Sequence, residues 1–162
     1  MMYYSPYSSQ QRALIDFNRL HSQGVRHRMM NTLFGKDTSL LNFDAIRERY
    51  ELRAQHDAGM QTVLLENVIG TVGRTHDFDN AFYPKQETTR HRWIQVASAI
   101  YDGREMPSVE LYRVHDAYYV IDGNHRISVW KAMAQEFIEA HVIDVELGEV
   151  RCQTEQIRPQ ER

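Results

Sequence analysis

The run Asp122-Gly123-Asn124-His125-Arg126 collects, in five consecutive residues, the groups from which an anion site is built. It follows the apolar run Tyr118 to Ile121 and precedes a helical pattern carried by Ile127, Val129, Trp130 and Met133. A strand should therefore stop, and a helix start, at this point. Gly123 can take positive φ and admits a ligand close to the backbone. Asn124 is expected as the N-cap, with the amides of the first turn pointing outward at the positive end of the helix dipole. Arg126 offers a planar fork for two phosphate oxygens, His125 a ring N–H, and Ser128 a further donor. Read plainly, the same residues make a common Asp-Gly turn with an Asn cap that binds nothing. Asp122 would repel phosphate unless it holds a metal ion, accepts a substrate proton or pairs with Arg126. Asp122 and His125 are the candidate catalytic groups.

A second set lies upstream. Arg74 follows Gly70 and Gly73 in the loop Ile69 to Arg74, and either reaches the far end of a phosphate-bearing ligand or makes a surface ion pair. His76-Asp77-Phe78-Asp79 puts two carboxylates near one another, which makes Asp77 and Asp79 candidate Mg²⁺ ligands, with capping or surface roles as the alternative. Glu66 and Glu87 are general-base candidates if phosphoryl transfer occurs. Arg90, His91 and Arg92 either extend a basic wall or are ordinary exposed helix residues. The His and Asp spacings of a metallophosphatase are not found. Cys152 is the single cysteine, so an internal disulfide and a zinc thiolate cluster are excluded.

The elements that must position these residues are legible in part. A helix is expected from Ser8-Ser9 through Ala13, Leu14, Phe17 and Leu20, its face continuing to Val25, Met29 and Leu33 before Gly35. A second helix is predicted from Phe43 to His56, with Phe43, Ile46 and Tyr50 inward, Arg47, Glu48, Arg49, Glu51 and Arg53 solvated, and Gly59 as the stop. Val63 to Leu65 reads as a short strand, Glu87 to Tyr101 as a helix ending at Asp102-Gly103. Val109 to Val114 and Tyr118 to Ile121 read as a hairpin turning at His115-Asp116-Ala117. Phe137 to Leu147 should return to the sheet. The fold class is mixed α/β, divided into an N-terminal helical extension over 1–60, a central domain over 61–148 and a polar tail over 149–162.

With 162 residues there is room for one core of ordinary size. A hydrophobic fraction of 42% and a charged fraction of 25% exclude a mainly disordered chain. The formal net charge of -3 argues against a general nucleic-acid coat, and leaves DNA as a partner without support from charge. The start lacks the basic and apolar regions of a signal peptide, and no apolar run approaches a membrane span. The expectation is a cytoplasmic protein with no membrane partner.

The order of features resembles the ParB N-terminal domain and its sulfiredoxin-like relatives. Arg74 with Phe78-Asp79, the helix Val96-Ala97-Ser98 to Ile100 with Gly103, and Met106-Pro107-Ser108-Val109 are similar to the family pattern. Tyr119 to Arg126 matches its strand and nucleotide-binding turn, and Ala132 with Ile138 to Val145 completes the likeness, over about Leu65 to Val145. The resemblance implies a small mixed sheet with flanking helices and a nucleotide held at the turn: CTP in ParB clamps, ATP in sulfiredoxins, ADP in a free-serine kinase with an Asp-Gly-His-His-Arg turn. Asn124 stands where sulfiredoxins carry their reactive cysteine, so sulfinic acid reduction is not expected here. No helix-turn-helix pattern follows Val145, so a ParB-style DNA clamp is incomplete.

These readings converge on a nucleotide- or phosphate-binding protein taking ATP, ADP or CTP with Mg²⁺, as an NTP hydrolase or small-molecule phosphotransferase. The alternative is a non-enzymatic nucleotide-sensing or DNA-associated module whose N-terminal helices form a homodimer or partner surface. Nuclease activity is the third and least supported reading.

Overall fold

The computed structural model describes residues 7–151. It is a mixed α/β structure with four α-helices and one six-stranded mixed sheet. The chain runs α1 (Ser9–Leu33), β1 (Leu41–Asn42), α2 (Phe43–Arg49), β2 (Tyr50–Leu64), β3 (Val68–Thr71), α3 (Arg90–Tyr101), β4 (Val109–Val114), β5 (Ala117–Asp122), α4 (Asn124–Ala132) and β6 (Phe137–Val150). Across the sheet the order is β1-β3-β5-β4-β6-β2. The β1–β3, β3–β5 and β4–β6 pairs are parallel, and the β4–β5 and β6–β2 pairs are antiparallel.

Helix α1 begins with a capping box: the Gln11 amide donates to Ser8 Oγ at 3.2 Å, and the Ser8 amide to Gln11 Oε1 at 3.0 Å. Its buried residues Ala13, Phe17, Leu20 and Gly24 form one stripe. Gly24 keeps the backbone close to the next layer, since a Cβ there would lie 2.7 Å from Cβ of Tyr83. The expected continuation of the stripe is corrected: Val25, Met29 and Leu33 are exposed, because the inward face continues instead through His27 and Arg28, which meet Tyr83, Asn80 and Asp79.

Period-two alternation sorts the strand residues between two cores. Val109 and Leu111 of β4, Val120 of β5, and Ile138, Ala140 and Val142 of β6 face the layer holding Phe17, Trp93, Ala97 and Ile127 from α1, α3 and α4. Val114, Tyr119 and Val145 face the other way, onto Phe43 and Ile46 of α2. Burying a side chain such as Phe17, with no exposed area, contributes about 2–3 kcal/mol.

The predicted second helix is also corrected. It ends at Arg49, and the chain from Tyr50 onward is a strand along β6, with Leu52 opposite Leu147 and Gln55 opposite Val145. Gly59 lies at a bulge in that strand, where the register shifts between Asp57 and Gly59, and does not stop a helix. The charged set Arg47 to Arg53 is thereby split between α2 and an edge strand. The expected boundary near residue 60 falls inside β2, and both sheet edges come from the first 64 residues. Residues 7–60 are thus no separate extension.

Further along, Val68–Thr71 is a strand rather than part of a loop, and Gly148 to Val150 belongs to β6 rather than to a tail. The β4–β5 hairpin and the helices at Glu87 to Tyr101 and from Asn124 stand where expected. Cys152 and the remainder of the expected tail lie outside the described residues. Among the described residues no helix is long and apolar enough to cross a membrane.

Candidate functional site

Strands β3 and β5 are parallel neighbours, so both deliver the chain to the same end of the sheet. After β3 come Val72, Gly73 and Arg74, and after β5 comes the turn Asp122 to Arg126. The start of α3 and the segment Met106-Pro107 supply the remaining walls. Together they enclose a cleft of about 780 Å³, a size suited to a small-molecule ligand. The two sequence segments singled out for phosphate, more than 40 residues apart, do therefore meet.

The turn is built differently from the sequence expectation. Gly123, at φ 107 and ψ 20, is the N-cap of α4, and no side chain caps the helix. A Cβ at this position would collide with the Val109 side chain, so both conformation and space require glycine. The first helical bond runs from the Ile127 amide to the Gly123 carbonyl at 3.0 Å. The amides of Asn124, His125 and Arg126 precede it and have no helical acceptor. Asn124 is thus the first helical residue. It is buried against the cleft, and its Oδ1 has no hydrogen-bond partner.

Arg126 lines the cleft, but its fork is already engaged by the protein. Its Nη1 donates to the carbonyls of Pro107 and Ser108, and its Nη2 donates to Asp122 at 2.6 Å. The guanidinium therefore ties α4 to the segment entering β4, and Asp122 is drawn to it, as one of the sequence alternatives allowed. Ser128 is also corrected as a ligand donor. It lies one turn deeper, is fully buried, accepts from Trp93 Nε1 at 3.0 Å and donates to the Phe82 carbonyl at 2.7 Å.

His125 lines the cleft, but its Nε2 is buried without a partner, and its ring meets Phe78 edge-on at 5.3 Å. Burial, with the nearby charges of Arg74 and Arg92 adding to it and Asp77 opposing, pushes its pKa down to about 4. The imidazole is neutral at pH 7, so it is not a cation for phosphate.

Of the two aspartates proposed for metal, only Asp77 lines the cleft, where its carboxylate meets Arg74 at 3.1 Å. Asp79 faces inward with no exposed area. It accepts from Arg28 Nη1 at 3.0 Å and from the amides of Ala81 at 3.1 Å and Tyr83 at 3.0 Å. Its carboxylate holds a tight loop in which Phe82 takes φ 59, so its reading as a metal ligand is corrected. No three His, Cys, Asp or Glu side chains converge on a point among the described residues. Glu66 and Glu87 are exposed and stand outside the cleft, Glu87 paired with Arg90 at 3.4 Å.

Sequence reasoning undervalued Arg92, which lines the cleft from the first turn of α3 and has no ion pair among the described residues. Thr88 and Thr89 beside it, and the apolar wall of Val96, Met106 and Ile121, carry no sequence signal that separates them from ordinary helix and loop residues. Three arginines, Arg74, Arg92 and Arg126, face two aspartates in the cleft of a chain whose net charge is -3. These charged groups are interleaved with the apolar side chains of Val96, Met106 and Ile121. Comparison of the chain with protein-family models, curated proteins and solved structures finds no match.

Proposed function

We propose that the cleft binds a phosphate-bearing nucleotide, with the phosphates over the first turn of α4 and the apolar part against Val96, Met106 and Ile121. The observation that carries this reading is the start of α4: a Gly123 cap and first-turn amides without helical acceptors, at a cleft that Arg74 and Arg92 also line. Arg126 contributes by holding the turn in shape, and the direct cationic contacts fall to Arg74 and Arg92. Mg²⁺ would arrive on the phosphates, with Asp77 and Asp122 as the cleft carboxylates available to it. In this reading Asp122, exposed at the cleft mouth, accepts a substrate proton during hydrolysis or phosphotransfer, and neutral His125 shapes the floor. The resemblance to ParB and sulfiredoxin-like domains supports the same ligand class, with ATP, ADP and CTP as the first nucleotides to try.

Binding without turnover is the second reading. It is favoured by the pairing of both cleft carboxylates with arginines, which balances their charge without a proton acceptor role. Calorimetric titration of ATP, ADP, CTP and GTP with Mg²⁺ tests the proposal on the wild type and on Arg74→Ala/Arg92→Ala. Loss of two charge-assisted contacts should weaken binding at least about tenfold. No binding of any nucleotide to the wild type would sink it. Phosphate release or transfer that falls in Asp122→Asn while affinity holds would select the enzymatic reading.

A further inference from the structure

The last turns of α1 pack through His27 and Arg28 on one face and carry a largely exposed apolar surface on another. Leu33 is 77% exposed, Phe34 69%, Met29 67% and Met30 54%. The stretch between Asp16 and Asp37 contains no acidic residue, and exposed Arg26 and Lys36 flank the apolar end with no ion pair among the described residues, Asp37 following Lys36. This surface is apolar and cationic on a chain that is acidic as a whole.

Elsewhere, a groove of about 570 Å³ has the opposite character. Met60, Met106, Trp130 and Phe137 line it, and Glu105 and Glu139 sit at its margin. Met60 is 56% exposed and Phe137 47%. Glu139 accepts from the Thr62 hydroxyl at 2.6 Å, which leaves its charge in place, and Glu105 has no ion pair among the described residues. The two surfaces belong to different elements, the end of α1 on one side and β2, β6 and the segment before β4 on the other.

We propose that the end of α1 of one copy seats in this groove of a second copy. Leu33 and Phe34 enter between Met60 and Phe137, while Arg26 and Lys36 meet Glu105 and Glu139. The charges choose this pairing. Two α1 ends brought together would set Arg26 and Lys36 against their own kind, relieved only by Asp37, and two grooves would set carboxylate against carboxylate, whereas helix end against groove offsets the excess of both. The contact is heterologous, so it builds a ring where the rotation closes and a growing chain where it does not. It does not rest on the cleft having a ligand.

Two variants of the full chain separate the halves of the contact: Leu33→Asp/Phe34→Asp on the helix end, and Glu105→Lys/Glu139→Lys on the groove. All four positions are exposed, and circular dichroism with thermal melting confirms that both variants fold. In sedimentation velocity the wild type should show a mass that rises with concentration above that of one chain. Each variant alone should be monomeric, since every contact needs both surfaces on partnering copies. Mixed in equal amounts, the two variants should form a complex of one copy of each and go no further, because one supplies the only intact groove and the other the only intact helix end. A wild type that stays monomeric overturns the proposal and leaves the helix end to a different partner. Association that survives in either variant, or a mixture that fails to form the complex, overturns it as well.

Discussion

The Arg126 guanidinium and the Asp122 carboxylate lie 2.6 Å apart across the turn that joins β5 to α4, with Arg126 buried and Asp122 exposed. The pair spans the Gly123 cap, and the other guanidinium nitrogen reaches the carbonyls of Pro107 and Ser108. A side chain suited to gripping a ligand here grips the protein instead, and so sets the shape of the cleft floor. Arg126→Ala removes several charge-assisted bonds and leaves two carbonyls unsatisfied. It should cost about 2–3 kcal/mol in urea unfolding. Asp122→Asn keeps an acceptor on the exposed side and should cost under about 1 kcal/mol. Equal losses in the two variants would contradict the role given to the Pro107 and Ser108 carbonyls.

Arg74 and Arg92 are exposed, and neither supports the core. Their double alanine variant should melt within about 2 °C of the wild type, as for surface changes of under about 0.5 kcal/mol. Differential scanning calorimetry checks this. A large drop in melting temperature would mean that these arginines hold the cleft together rather than serve a ligand.

His125 sets a pH dependence. Its folded-state pKa is about 4, below the unfolded value of 6.5. Between those values the unfolded chain binds the proton and the folded protein does not. Stability should therefore be fully present above pH 6.5, fall as the pH drops toward 4, and stop falling on this account below it. Urea midpoints measured across that window in wild type and His125→Gln check the point. The variant should lose this part of the slope, and an unchanged slope would mean that His125 protonates freely in the folded protein.

Buried Asp79 and partly exposed Arg28 pair at 3.0 Å, with two further amides donating to the carboxylate. Asp79→Ala leaves two N–H groups without an acceptor and Arg28 without its partner, and should destabilise the protein by about 2–4 kcal/mol. Asp79→Asn retains an acceptor for the amides and should cost less. Chemical denaturation of both variants measures the difference. A mild Asp79→Ala would argue that water replaces the carboxylate.

Local signals in the sequence determined the elements whose causes lie within a few residues. Ser8 and Gln11 mark the start of α1, alternating apolar residues mark β4 and β5, and Asp122-Gly123 marks the change from strand to helix. A capping box, a two-residue period and a positive-φ glycine each act over one turn or one pleat, so no distant partner is needed to recognise them. The mixed α/β class follows from the order of such elements. Tertiary structure decided the rest. Tyr50 to Gln55 is a strand because β6, more than 80 residues later, offers a ladder of hydrogen bonds that outweighs the helical pattern begun at Phe43. Side-chain direction was decided in the same way. Arg126 turns to the Pro107 and Ser108 carbonyls, Ser128 to Trp93 and Phe82, and Asp79 to Arg28, because each partner comes from a remote segment brought near by packing. The turn itself was legible in the chain, but which of its atoms face the cleft depended on what the fold placed behind it.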